Sequence, residues 1–102
     1  EKIRFFKNQN LEKLPNIFGK QKNFLEIFSI LTKINFPMYK IKSFFYFEIG
    51  RWDILLKNKA IIKLPVKNFE ISLKNFMDLN KKIGSEKYII FDYRIKDQLI
   101  LK

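Results

Sequence analysis

Residues 51–65, RWDILLKNKAIIKLP, constrain the fold more than any other stretch of the chain. Trp52, Ile54 and Leu56 alternate with Arg51, Asp53 and Lys57, the period of two that marks a half-buried strand. Leu55 interrupts the polar set, so the second face is not fully wet. Ala60, Ile62 and Leu64 then alternate with Ile61 and Lys63. Pro65 offers no N–H to a ladder and ends the second strand. Asn58-Lys59 has the length of a two-residue hairpin turn. Asn tolerates positive φ but Lys does so poorly, so the turn is strained or the loop is longer. The hairpin holds the only tryptophan of the chain.

Around this hairpin the pattern changes period twice. In residues 21–35, Phe24, Ile27, Phe28, Leu31 and Ile34 fall on one helical stripe, and Pro37 closes the helix. After Pro65, Phe69, Leu73, Phe76 and Met77, with Leu79 or Ile83, form a second stripe. Asn68 is placed as its N-cap and Gly84 as its C′ residue. Glu70 and Lys74 make an i,i+4 pair in the favourable order. Residues 39–49 alternate as a strand, aromatic on both faces in its second half, and Gly50 makes a corner into the hairpin. Residues 87–95 read as another strand, with Tyr88, Ile90, Asp92 and Arg94 outward and Ile89, Phe91, Tyr93 and Ile95 inward. Lys96-Asp97 is a second short turn, and residues 98–102 form a final strand. At the start, Ile3 to Phe6 is a short apolar strand and Asn8-Gln9-Asn10 a turn. Leu14-Pro15 is extended, and Gly19 breaks the chain before the first helix. The expected order is β-α-β-β-β-α-β-β. It makes residues 1–102 one α+β domain, a mostly antiparallel sheet packed by two amphipathic helices. One helical crossover, between the strands at 60–64 and 88–95, permits parallel pairing.

Composition narrows the chemistry. Lys and Arg number 21 against 10 Asp and Glu, a net charge of +11. One reading is a nucleic-acid or anionic surface. The other is residue usage, because Lys, Asn, Ile and Phe are abundant and Ala, Gly and Pro scarce. Most lysines stand singly at solvent-facing positions, which favours the second reading. A small basic nucleic-acid-binding domain stays as the alternative, with Tyr39, Phe44, Tyr46 and Tyr88 as the rings able to face outward. The chain has no Cys and no His. That removes thiolate chemistry, the commonest general base and the commonest metal ligand. Asp53, Asp92 and Asp97 remain as carboxylates, and they read as solvated or ion-paired strand residues. No catalytic, metal or cofactor site is expected. No uninterrupted apolar run reaches the roughly 18 residues of a membrane span. The chain opens on Glu1 without an initiator Met, which reads as a piece of a longer protein.

Two features point to a surface that works by contact. Asp92 and Arg94 share one strand face and, with Arg51 on another strand, can form a short ionic ladder. The final strand carries Leu99, Ile100 and Leu101, apolar on both faces, guarded only by Lys102. A bare terminal strand is a docking edge unless something covers it.

Three motifs, in order and at sensible spacing, resemble the FtsQ/DivIB family of bacterial cell-division proteins. They are Leu14-Pro15 with Gly19, Arg51-Trp52 through Leu64-Pro65, and Asp92-Tyr93-Arg94 followed by a last hairpin strand. The family usually has Asn-Gly where this chain has Asn58-Lys59. The resemblance covers nearly the whole chain and implies the family's C-terminal β domain. The cytoplasmic tail, transmembrane helix and POTRA domain of a bitopic inner-membrane protein would then lie upstream, and this domain would sit in the periplasm at the septum. It also implies a non-catalytic scaffold that binds the FtsB–FtsL pair, with an FtsB segment adding as a strand to the last hairpin. That maps onto Tyr93, Arg94, Ile95, Lys96, Gln98, Leu99, Ile100 and Leu101. Arg94 would anchor an acidic partner residue, and Tyr93 would offer an exposed ring to a partner helix. Arg51, Trp52, Pro65 and Asp92 would be structural, with Trp52 a core pin and Arg51 the sheet-edge partner of Asp92.

Overall fold

The alternation at residues 51–65 becomes two neighbouring strands, β4 (Arg51–Leu56) and β5 (Ile61–Lys63). The computed structural model describes residues 2–3, 16–18, 21–83 and 88–102. The other described strands are β1 (Lys2–Ile3), β2 (Asn16–Phe18), β3 (Ile41–Phe47), β6 (Ile90–Asp92) and β7 (Ile100–Leu101); the helices are α1 (Gln21–Lys33) and α2 (Phe69–Ile83). The expected strand beyond Ile3, the turn at Asn8-Gln9-Asn10, Leu14-Pro15, Gly19 and the Gly84 cap lie outside the described residues.

The seven described strands lie in one sheet in strict chain order, β1 to β7. Pairing is antiparallel except for β2–β3 and β5–β6. Each parallel step is bridged by a helix, as parallel neighbours require. Since β3, β4 and β5 alternate in direction, β5 runs the same way as β2. Two right-handed crossovers from strands of one direction then put both helices on the same face. The fold is α+β, as expected from sequence, with one difference. A second crossover, β2–α1–β3, exists because Asn16–Phe18 is a strand, too short at three residues to show any alternation.

The core lies between the helices and that face. Phe24, Ile27 and Leu31 of α1 and Phe69, Leu73 and Phe76 of α2 are buried against Ile17, Phe44, Trp52, Ile54, Ile62, Leu64 and Phe91. Trp52 sits under α1, edge-on to Phe24 and Phe44 at 6.0 and 6.1 Å and against Tyr46 at 4.9 Å. The register shifts between Ile41 and Ser43. This bulge lets Ile41 and Phe44 both face the core, where unbroken alternation would oppose them.

Local chemistry closes the elements. Helix α1 ends in a Schellman motif. Asn35 has φ +59°, and the N–H groups of Asn35 and Phe36 donate to the carbonyls of Thr32 and Leu31 at 3.1 and 2.9 Å. Phe36 and Leu31 are both buried, the apolar contact that accompanies this cap, and Pro37 follows. The β4–β5 loop is one residue longer than the two-residue reading. The Lys59 N–H donates to the Leu56 carbonyl at 3.0 Å, and the Leu56 N–H donates to the Ala60 carbonyl at 2.8 Å. Residues 57–59 thus form a three-residue hairpin loop, with Lys59 at φ +77° in the position that favours glycine. Asn58 steadies it through Oδ1, which accepts from the Ala60 N–H at 3.0 Å. Asn68 precedes α2 at φ +60°, and its carbonyl accepts from the Ile71 N–H at 3.2 Å. The capping side-chain contact expected of Asn68 is not among the described hydrogen bonds. Glu70 holds the expected Lys74 at 3.2 Å and also Lys33 of α1 at 3.3 Å, tying the two helices together.

Candidate partner-binding edge

The last third of the chain carries the expected working surface, and its geometry differs from a regular hairpin. The strand expected over 87–95 pairs only at Ile90–Asp92. The alternation holds at its centre, where Phe91 and Tyr93 face the core, and fails at both ends. Ile89 and Ile95, expected inward, are 64% and 50% exposed. Tyr88, expected outward, packs edge-on against Phe91 at 6.1 Å. The turn at Lys96-Asp97 does form. The Gln98 N–H donates to the Ile95 carbonyl at 3.1 Å, with Asp97 at φ +58°.

Beyond that turn the chain returns as β7. It pairs with β6 through Phe91↔Leu101 and Asp92↔Ile100. Ile90 and Lys102 exchange both main-chain bonds at 3.1 Å. In an antiparallel pair such exchanges alternate with positions whose N–H and C=O point away. Leu101 is therefore the residue whose main chain faces the open side of β7. Leu99, Ile100 and Leu101 are all half-buried, and Leu99 and Leu101 pack on the core.

On the sheet face opposite the helices, a charged row crosses the strands. Asp53 pairs with Lys63, and Lys63 with Asp92. Arg51 and Arg94 each stand two residues from one aspartate. The expected Arg51–Asp92 contact is replaced by two local pairs. Arg51 Nε lies 3.2 Å from Asp53 Oδ1, and its guanidinium covers the Phe47 ring at 4.4 Å. Arg94 grips Asp92 with both prongs, Nε to Oδ1 at 2.9 Å and Nη2 to Oδ2 at 2.6 Å, and the Arg94 N–H adds a third bond at 3.0 Å. An i,i+2 partner on one strand needs no help from register, so it wins over a partner several strands away.

The charges follow from these contacts. The Arg94 fork holds the Asp92 carboxyl below the usual carboxylate range, against the opposing effect of burial. Burial pushes Asp53 up, with Arg51, Lys63 and Arg94 opposing it. Arg94 is held more firmly cationic by Asp92, yet its side chain is 40% exposed whereas that of Asp92 is 7% exposed. A pre-oriented cation thus stands at the sheet end beside the open strand.

Tyr93 corrects an expectation. Its ring is buried, its hydroxyl donates to Asn75 Oδ1 of α2 at 2.8 Å, and burial raises its pKa. It fastens the edge to α2 and offers no ring to a partner. The exposed apolar groups nearby are Ile95 and, on α2, Ile71 at 70%. Both line a groove of about 590 Å³ with Pro65, Lys67, Arg94 and Lys96. Sequence reasoning missed this groove because its α2 wall comes from residues outside the helix stripe.

The aromatic platform needed for single-stranded nucleic acid does not assemble from the rings named in the sequence. Of the four rings named, Phe44 is buried, Tyr46 leans on Trp52 and Tyr88 on Phe91; Tyr39 alone is exposed, at 70%. Asp53 and Asp92 stand two strands apart, roughly 10 Å by ladder spacing, too far to share a proton. Among the described residues no cluster of acidic groups could hold a metal ion, and no helix is long and apolar enough to cross a membrane.

No protein-family model matches the chain. Curated relatives do. The cell division protein FtsQ of Rickettsia conorii is 29% identical over 102 residues, 93% of this chain and 38% of the relative. That of Rickettsia prowazekii is 30% identical over 98 residues, 92% and 37% respectively. That of Rickettsia bellii is 43% identical over 54 residues, 51% of this chain and 20% of its own length. The chain thus spans well under half the length of the relatives it matches. The match runs through nearly all of this chain, across the Arg51-Trp52 hairpin and the Asp92-Tyr93-Arg94 strand alike, and the chain belongs to the FtsQ family of cell division proteins.

Proposed function

We propose that this domain is a non-catalytic scaffold of the bacterial division machinery that captures the FtsB–FtsL pair by strand addition to β7. The observation that carries the reading is the outward main chain of Leu101 on an edge strand apolar on both faces. An added strand gains main-chain hydrogen bonds there, and alternate side chains set its register. Arg94 supplies a charge anchor for an acidic partner residue, already oriented by Asp92. The groove between α2 and the 93–99 loop takes an apolar segment of the partner against Ile71 and Ile95. Gln98 and Leu99 extend the edge, and Lys96 stands at its tip. In this reading residues 1–102 are the C-terminal β domain of a bitopic inner-membrane protein. It sits in the periplasm at the septum, with a transmembrane helix and POTRA domain upstream.

Capture of FtsB by the purified domain tests it. Leu101→Pro removes an outward N–H without removing a bond to β6, so capture should fall to background in a variant that still folds, with some loss of melting temperature because the Leu101 side chain also packs on the core. Arg94→Glu should weaken capture by about one to two orders of magnitude, as truncating an interfacial charge pair does. Undiminished capture by a folded Leu101→Pro variant would place the partner elsewhere.

A further inference from the structure

A second groove lies at the other end of α2 from the β7 edge, and the proposed scaffold role does not use it. Its floor is Phe36, Leu56 and Phe76, all under 5% exposed, with Phe36 and Phe76 stacked at 6.2 Å. Its cavity is about 400 Å³, room for one or two side chains. The Schellman cap of α1, the β4–β5 loop and the last turns of α2 make its walls.

Three observations specify an occupant. The rim carries Lys40, Lys57 and Lys81, all exposed, and among the described residues none that lines the groove is acidic. None of the three is ion-paired among the described residues, whereas Lys33 and Lys74 are. The Lys57 N–H donates to the Lys40 carbonyl at 2.9 Å, which fixes two of the cations side by side. Inside the groove, Asn80 Oδ1 is buried with no hydrogen-bond partner among the described residues, and an unmet buried acceptor favours a ligand that satisfies it.

We infer that this groove binds an acidic peptide segment of a partner protein, inserting one aromatic or leucine side chain between Phe36, Leu56 and Phe76. Carboxylates flanking that anchor meet Lys40, Lys57 and Lys81. A peptide group beside it meets Asn80, and it does so whichever way the carboxamide is turned, since it carries both a donor and an acceptor. An anionic bilayer fits less well, because the apolar floor is recessed and takes a side chain in, whereas membrane insertion needs apolar groups that project.

The test uses the 102-residue chain and a fluorescent probe peptide of glutamates around one phenylalanine, alongside the same peptide with glycine in that place. The phenylalanine peptide should bind at least about tenfold more tightly than the glycine peptide and shift the amide resonances of Phe36, Leu56, Met77 and Asn80. Reversing Lys40, Lys57 and Lys81 to Glu should abolish that preference. Reversing Lys42, Lys67 and Lys102 to Glu, an equal change of charge at exposed lysines outside this groove, should keep it. Equal binding of the two peptides, or equal loss in both triple variants, would reduce the effect to the net charge and overturn the proposal. Resonance shifts confined to the β7 edge, or tighter binding to phosphatidylglycerol vesicles than to the peptide, would overturn it as well. Thermal melts of both variants, matched to the parent chain, establish that neither result reflects unfolding.

Discussion

Asp53 and Asp92 flank Lys63 in one row of the sheet, each with an arginine two residues away, yet the two pairs do different work. The Arg51–Asp53 pair is closed in. Its contact is a single one at 3.2 Å without hydrogen-bond geometry, and Arg51 is spent on the Phe47 ring. Burial dominates there and raises the carboxyl pKa. The Asp92–Arg94 pair is a full fork plus a main-chain bond, and hydrogen bonding dominates and lowers the pKa. The same two residue types thus give a pair absorbed by the framework at β4 and a cation presented outward at β6. Contact geometry, not composition, separates them.

Breaking the framework should produce the largest effect. Trp52→Ala removes a ring touching Phe24, Phe44 and Tyr46 and should destabilise the domain by about 3–5 kcal/mol, read by urea denaturation. The two aspartates should then part company. Asp92→Asn weakens a charge-assisted fork and should lose about 1–2 kcal/mol, toward the low end because Arg94 is partly exposed. Asp53→Asn removes a poorly solvated carboxylate and should stay within about 0.5 kcal/mol of the parent chain, since its desolvation offsets its attraction to Arg51 and Lys63. Equal losses in the two variants would erase the distinction drawn between the pairs.

Acid titration sharpens the same contrast through its sign. Asp92 is depressed below 3.8, so its stabilisation is complete above that unfolded value and disappears as pH falls through the lower folded value. Asp53 is raised above 3.8, so its ionised form opposes folding at neutral pH, and that opposition fades as pH falls through the raised value. Melting temperatures should therefore drop less steeply below about pH 4 in Asp92→Asn. The Asp53→Asn variant should lack the small relief the parent chain shows on mild acidification. An effect of the opposite sign concerns the β4–β5 loop. Lys59 holds φ +77°, and Lys59→Gly should stabilise by about 0.5–1 kcal/mol, the penalty for a side chain in that region less the added freedom of glycine.

What could be read in advance follows from how local each signal is. The β4 and β5 alternation and both helix stripes were legible because each repeats over several residues and buries one face. Strand β2 was not, because three residues between Pro15 and Gly19 hold no period. The Asn35 cap was overlooked in favour of Pro37, though an Asn just past a helix stripe is a known αL signal. Residues 87–95 alternate well as a string but form a regular ladder only at Ile90–Asp92, and Ile89 and Ile95, beyond its two ends, lie on the surface. The exposed Tyr93 ring was an implication of the family resemblance; the alternation itself put Tyr93 inward, where its hydroxyl donates to Asn75 Oδ1. The Arg51–Asp92 expectation failed because cross-strand partners depend on register while i,i+2 partners do not. The exposed end of the sheet, the open strand and the forked Arg94 were legible in type, and their geometry required the fold.

The most direct measurement is amide hydrogen exchange at Leu101 and Lys102 with and without FtsB. In the free domain Lys102, bonded to the Ile90 carbonyl, should exchange more slowly than Leu101, whose N–H faces outward. Saturating partner should protect Leu101 strongly and leave Lys102 little changed. A Leu101 amide that is already slow in the free domain, or that stays fast when the partner is bound, would contradict strand addition at β7.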